Sequence, residues 1–445
     1  MNFLKKIFFY FSIIISSLFL IYLFYKSEII FDGSIRNHYF KYYFLGFLYL
    51  IFSTFIFKIN KTLNSIFNLS IISIIITLYL FEYYLTKSKI ELDSNLDLKI
   101  KRYKELSGKD WDNRNQYQVY RDLLKLHPNV VPYFYPSELN LKDNTKIHSL
   151  SGVSNSLTVF CNENGYYSVN SSDRYGFNNP DNEWDSSTID YVFVGDSFTH
   201  GYCVNRPHDI PSVIRNNHNK KVLNLGYGRN GPLIEYATLR EYLPKNVKKI
   251  IFMYYEGNDL ENLNDELKNS ILTKYINNEN FSQNLKKKQK LIDTEKRNHI
   301  LARSKGSKFK FIKLKETRKT VKAIINKKKN KKNSFLNDAY KLEKLEQILF
   351  LSKKLASKKK SDFYFIYIPS GIDYFENKHI NTKPLYFNKI KSIANKLNIN
   401  FINIHKEVFE KEKNPKKFFP FELSGHYNIE GYKKVAETIY KFTKD

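Results

Sequence analysis

The chain has 445 residues, enough for two or three structural units and a full-sized core. Its 72 Lys+Arg against 44 Asp+Glu give a formal charge of +28, a balance that suits nucleic acid, a membrane surface or an anionic polymer. The abundance of Lys, Asn, Ile, Phe and Tyr is also what AT-biased coding yields. No zinc-finger spacing, RNA-binding aromatic motif or helix-turn-helix pattern accompanies the charge, so nucleic acid is not an expected partner.

Three apolar runs open the chain, over residues 7–25, 39–57 and 66–84. Each is about nineteen residues, close to the roughly twenty that cross a ~30 Å hydrocarbon core as a helix. The second run carries only Lys41, near its start, and Tyr clusters at the ends fit an aromatic belt. The first run has no small-residue cleavage site and two more follow it, which argues against a signal peptide. Three transmembrane helices are therefore predicted, with a buried helical hairpin as the alternative. Orientation is not decided by charge. Lys5, Lys6, Lys58 and Lys61 would face one side, and Lys26, Arg36, Lys41, Lys87 and Lys89 the other.

The expected organisation is a membrane anchor over 1–89, a linker and outer layer over 90–150, and a third part over 151–445. Within 90–150 an amphipathic helix is predicted at 116–126, followed by the Pro-rich stretch HPNVVPYFYP. Strands are predicted at 191–194, 221–225, 249–255, 363–368 and 400–404, and helices at 211–217, 233–242, 338–357, 387–397 and 429–442. Short buried strands alternating with helices predict an α/β fold, a parallel sheet covered on both faces in three layers. In such sheets function collects at the carboxyl ends of the strands.

An insertion at about 260–334 interrupts the alternation. Residues 286–332 hold twenty Lys+Arg against Asp293, Glu295 and Glu316. The piece FKFIKLKETRKTVKAII is read as a basic amphipathic helix for anionic lipid or polymer, or else as a solvated arm.

The first predicted strand runs into Gly195-Asp196-Ser197-Phe198, where a serine at a strand-to-loop turn can raise its hydroxyl above the sheet edge. The second ends in the loop Asn224 to Gly231, whose Gly226, Gly228 and Gly231 can turn backbone N–H groups toward one point. The third ends in Glu256-Gly257-Asn258-Asp259. Ser424-Gly425-His426-Tyr427-Asn428 precedes the last helix. His200, three residues after Ser197, is read as structural. Cys161 and Cys203 are too few to hold a metal unaided and form no CxxC pair. In an oxidising compartment they would pair, and in a reducing one they would be buried thiols.

The order Ser, Gly, Asn, His with these strings resembles the SGNH/GDSL hydrolase family over about residues 155–442. The strings CNENGYYSVNSSDRYGFNNP, GDSFTHGYCV, NGPLIEYATLREY and YYEGNDL are similar to a membrane-anchored bacterial subgroup of it. The resemblance implies an SGNH (flavodoxin-like) domain with Ser197 as nucleophile and His426 as general base. Gly228 or Gly231 and Asn258 would donate to the oxyanion, and no metal or organic cofactor is called for. It also implies a Cys161–Cys203 disulfide and an extracytoplasmic catalytic domain on a multi-pass membrane protein.

Two departures stand out. The family's acid two or three residues before the histidine is replaced by Leu423 and Ser424. The third member is then Glu422, or Asp259, or no acid at all, with a backbone carbonyl orienting the ring. Arg229 occupies the place of a second-block glycine, and a Cβ there resists positive φ.

The implied activity is ester hydrolysis through an acyl-enzyme, on an envelope carbohydrate or lipid. One alternative is an O-acyltransferase acting on envelope polysaccharide, which would need a membrane protein to supply acyl groups. The other is a catalytically silent carbohydrate-binding or scaffold module.

Overall fold

The computed structural model describes residues 2–30, 33, 36–91, 94–136, 147–304, 314–330, 334–375 and 386–444. They form two units, Met1–Leu92 with Ser307–Lys329, and Asp93–Gly306 with Asn330–Asp445.

The first unit is built on α1 (Asn2–Phe24), α2 (Arg36–Ile59) and α3 (Lys61–Glu91). Phe9–Ile29, Tyr39–Ile59 and Lys61–Ser88 are long and apolar enough to cross a membrane, as the three runs predict. Their outward surface is apolar, with Ile14, Leu18, Phe44, Phe55, Ile76 and Leu80 exposed, as a lipid environment requires. Polar groups lie between helices instead. Asn64 Nδ2 of α3 donates to Ser53 O of α2 at 2.6 Å, and Tyr49 Oη of α2 to Asn68 Oδ1 of α3 at 2.5 Å. Such side-chain bonds hold apolar helices together where no hydrophobic effect can.

The second unit begins with α4 (Ser94–Ser107) and α5 (Gln116–Leu124). The short strands β1 (Val131–Pro132), β2 (Leu157–Val159) and β3 (Val169–Ser171) follow and form a small sheet in that order. A capping box between Asn115 and Gln118 starts α5. Gln116 Nε2 then reaches the carbonyls of Tyr133, Val159 and Phe160. The described part of 90–150 is thus packed structure of this unit.

The main sheet holds β4 (Ile189–Val194), β5 (Val222–Asn224), β6 (Val247–Tyr255), β7 (Asp362–Ile368) and β8 (Asn400–Asn403). All neighbours are parallel, in the order β5-β4-β6-β7-β8. This is the flavodoxin-like 2-1-3-4-5 order, which leaves a crevice beside the first strand's carboxyl end. Between the strands run α6 (Ser197–His200), α7 (Ile210–His218), α8 (Pro232–Tyr242), α9 (Asp259–Glu266), α10 (Leu272–Asn277) and α11 (Gln289–Ser304). Next come α12 (Lys315–Asn330), α13 (Ser334–Lys358), α14 (Ile372–Phe375), α15 (Phe387–Lys396) and, last, α16 (Ile429–Thr443).

Each predicted strand and helix of the alternation is found within a few residues of its expected bounds. Alternate residues face opposite layers, as the period of two demands. Val192, Val194 and Phe252 pack with Leu233 of α8, Leu345 of α13 and Ile390 of α15. Tyr191, Phe193 and Met253 pack with Ile214 of α7 and Val435 of α16. The lysine-rich insertion divides between the units. Part of it, including 309–313 of the predicted basic helix, lies outside the described residues, and α12 belongs to the first unit up to Lys329.

Candidate active site

The backbone at Gly195 passes so close to α6 that a Cβ there would lie 2.0 Å from Thr199 Oγ1. Only glycine allows β4 to turn this tightly. Asp196 caps α6 by accepting the Phe198 N–H at 2.9 Å, and Ser197 stands next to it, 7% exposed. His426 is positioned from the other side of the sheet edge. Asn428, N-cap of α16, accepts from Gly431 N and donates to the carbonyls of Lys417 and Phe419. Tyr427 is buried among Phe198, Phe409 and Phe419.

The two loops bring Ser197 Oγ to 2.9 Å from His426 Nε2. On the far side of the ring His426 Nδ1 lies 2.9 Å from Glu163 Oε1, and the His426 N–H donates to Glu163 Oε2 at 2.7 Å. Glu163 is thus the carboxylate on the imidazole, and it was not among the residues expected there. Glu422 is exposed and accepts from Asn414 Nδ2 at 2.8 Å. The chain turns at Phe421 and Glu422, both with positive φ, and carries the Glu422 carboxylate away from the ring. Asp259 is engaged with Tyr255 N at 2.6 Å. The aligned groups can move a proton from serine hydroxyl to imidazole while a carboxylate fixes the tautomer and stabilises the imidazolium.

A disulfide joins Cys161 to Cys203. It ties the loop that carries Glu163 to the loop that follows Ser197, and Asn164 Nδ2 adds a bond to Cys203 O at 2.9 Å. From α4, Lys99 Nζ donates to Ser424 O at 2.8 Å, and Arg102 donates to Phe421 O.

Burial alone would raise the Glu163 pKa, but the charge and hydrogen bonds of His426, with Lys99, outweigh it and hold the carboxyl below its ordinary value. Burial alone would lower the His426 pKa. Glu163 and Asp196 outweigh it and hold the imidazole above its ordinary value, against an opposing push from Lys99. Ser197 Oγ also lies 3.2 Å from Asp196 Oδ2. One hydroxyl proton serves only one of these neighbours at a time, and burial raises the Asp196 pKa.

The glycine amides expected at the oxyanion are both occupied. Gly228 N–H donates to Tyr133 Oη at 2.8 Å, and Gly231 N–H to Glu266 Oε1 at 2.6 Å. Glu266 also accepts from Leu233 N and Ile234 N, capping α8. Burial still raises its pKa to about 8. Leu225, Gly226, Tyr227 and Asn230 donate elsewhere in the protein. Arg229 N–H is the amide of this loop with no partner among the described residues. Arg229 takes φ +62° despite its Cβ, with its guanidinium 4.1 Å from the Tyr135 ring. The Asn258 side-chain amide, at the end of the neighbouring β6, likewise has no partner among the described residues, and its Oδ1 is buried. His200 is buried with Nδ1 3.1 Å from Gly226 O, and burial lowers its pKa to about 4. It braces the loop as a neutral ring.

A cleft of about 400 Å³ is lined by His148, Arg229, Ile234, Asn262, Asn269 and Leu272. Glu163, His426 and Cys203 lie close enough together to suggest a metal site, but the Cys203 sulfur is consumed in the disulfide and the other two groups bond each other.

No family model matches the chain, and no curated protein matches it. Among solved structures, one described as a lipolytic protein of the G-D-S-L family from Desulfitobacterium hafniense DCB-2 is similar at a TM-score of 0.32 and 14% identity. The match covers 57% of this chain and 99% of that one. A likeness that weak carries no argument about activity, and the functional reading rests on the side chains.

Proposed function

We propose that the chain is a serine-dependent ester hydrolase of the SGNH/GDSL type, acting through an acyl-enzyme on an envelope carbohydrate or lipid ester. The observation that carries it is the unbroken line from Ser197 Oγ to His426 Nε2, and from Nδ1 to Glu163, each step 2.9 Å. His426 takes the Ser197 proton as Oγ attacks the ester carbonyl carbon. The developing oxyanion accepts from the Arg229 N–H, the Asn258 side-chain amide and the Ser197 amide. Collapse expels the alcohol oxygen, which takes the proton from His426. Water then repeats the sequence on the acyl-enzyme.

Transfer to a sugar hydroxyl in place of water is the second reading. The polar cleft lined by Arg229, Asn262 and Asp265 favours it, because side chains of this kind bond sugar hydroxyls. The reading as a silent binding module drew on the missing acid, and Glu163 withdraws that support. The disulfide supports an oxidising, extracytoplasmic location. Labelling with a fluorophosphonate serine probe tests the proposal. Wild type should label, and Ser197→Ala and His426→Ala should not. Folded wild-type protein that stays unlabelled would sink the enzymatic reading.

A further inference from the structure

Helix α12 of the lysine-rich insertion is fastened to a membrane-spanning helix. Glu82 of α3, 2% exposed, accepts from Glu316 N at 3.0 Å, Thr317 N at 2.7 Å and Thr317 Oγ1 at 2.8 Å. These bonds satisfy the free N–H groups that begin α12, and a carboxylate is the favoured charge at that end of a helix. The apolar window Lys61–Ser88 has 28 residues, about 42 Å of helix against a ~30 Å hydrocarbon core, so its ends reach the headgroup layer. Glu82 lies six residues before Ser88, about 9 Å along the axis. The start of α12 is therefore held near the depth at which lipid headgroups begin.

The sequence of α12 suits that depth. Thr317, buried against Glu82, begins a stripe that continues at Val321 and Ile324, four and seven residues on, and these two are 47% and 54% exposed. The stripe that touches α3 at its start thus runs on into residues that are exposed among the described ones. Arg318, Lys319 and Lys322 flank it, all exposed, and none forms an ion pair with a described residue. An apolar stripe edged by bases is the pattern of a helix lying in a membrane interface, and bases at that depth attract acidic headgroups.

We propose that α12 is a binding site for anionic phospholipid headgroups, seated on the membrane surface by the Glu82 cap. The lipid phosphate would meet Arg318, Lys319 and Lys322, while Val321 and Ile324 enter the acyl boundary. This site is independent of the ester chemistry at Ser197.

The test uses the full chain in lipid nanodiscs. The protein's two cysteines are joined, so Ile324→Cys provides a single thiol for an environment-sensitive fluorophore. In discs containing phosphatidylglycerol the emission should shift to the blue, and access of an aqueous quencher should fall severalfold, relative to phosphatidylcholine discs. The difference should vanish in high salt and in the combined Arg318→Gln, Lys319→Gln, Lys322→Gln variant. Glu82→Gln should weaken it with the three bases intact. Equal emission in the two kinds of disc would overturn the proposal. So would a response to a soluble anionic polysaccharide added to neutral discs without any response to anionic lipid. A lipid response unaltered by Glu82→Gln would overturn the role of the cap.

Discussion

Glu163 Oε1 and His426 Nδ1 meet at 2.9 Å across 263 residues of sequence. That contact gives the imidazole a fixed tautomer, and it makes the first prediction specific. Glu163→Gln should lower kcat/KM by roughly 10²- to 10⁴-fold, whereas Glu422→Gln should leave it unchanged. The pH profile adds a sign. Catalysis needs neutral His426, and Glu163 raises its pKa, so activity is lost as pH falls through that raised value. Removing the charge should move the acid limb to lower pH, read from kcat/KM against pH.

Lys99→Met should move the same limb the other way. Lys99 opposes protonation of His426, so its loss should let the imidazole hold its proton to higher pH. Both variants cost activity, but only opposite shifts fit a Lys–Glu–His arrangement. Shifts of the same sign would disprove it.

Asn258→Ala should cost about 10²- to 10³-fold in kcat with little change in KM, as removal of one oxyanion donor does. Arg229→Gly keeps the backbone N–H and relieves a left-handed residue, so it should retain activity within an order of magnitude. Steady-state kinetics on a chromogenic short-chain ester would read both. A hundredfold loss in Arg229→Gly would show that the guanidinium, and not the amide, is what the reaction uses.

Cys161→Ser with Cys203→Ser should destabilise the unit by about 4 kcal/mol, the loop-closure value for a separation of 42 residues. It should also cut kcat before the protein melts, because the bond holds the Glu163 loop against the Ser197 loop. Thermal unfolding and activity, each with and without reductant, separate the two effects.

The five strands were legible, as was the placing of Ser197 and Asn258 after strands and of His426 before the last helix, because each depends on local pattern. Val192 and Phe193 read as strand from their own neighbours, and Ser197 follows at once. Glu163 was not legible, since its contact joins two distant loops and no periodicity marks it. The one available signal was Cys161, two residues away, whose implied pairing with Cys203 would have brought Glu163 toward Ser197. The Gly-loop amides are a different case. Gly228 and Gly231 look freest in sequence, yet Tyr133 and Glu266, from other elements, take their N–H groups. A glycine states what the backbone can do and says nothing about which donors remain unspent.

The reach of α4 into the histidine loop bears on how a soluble version of this protein should be cut. Lys99 and Arg102 lie only a few residues past α3, yet they hold the carbonyls of Ser424 and Phe421. Truncation at Gln116, the start of the next helix, would remove both clamps and yield a domain that folds around a loosened histidine. Truncation at Ser94 keeps them. Inactivity of the shorter fragment would then report on where the cut was made, and a comparison of the two fragments would say how much of the catalytic geometry is borrowed from the helix that follows α3 in sequence.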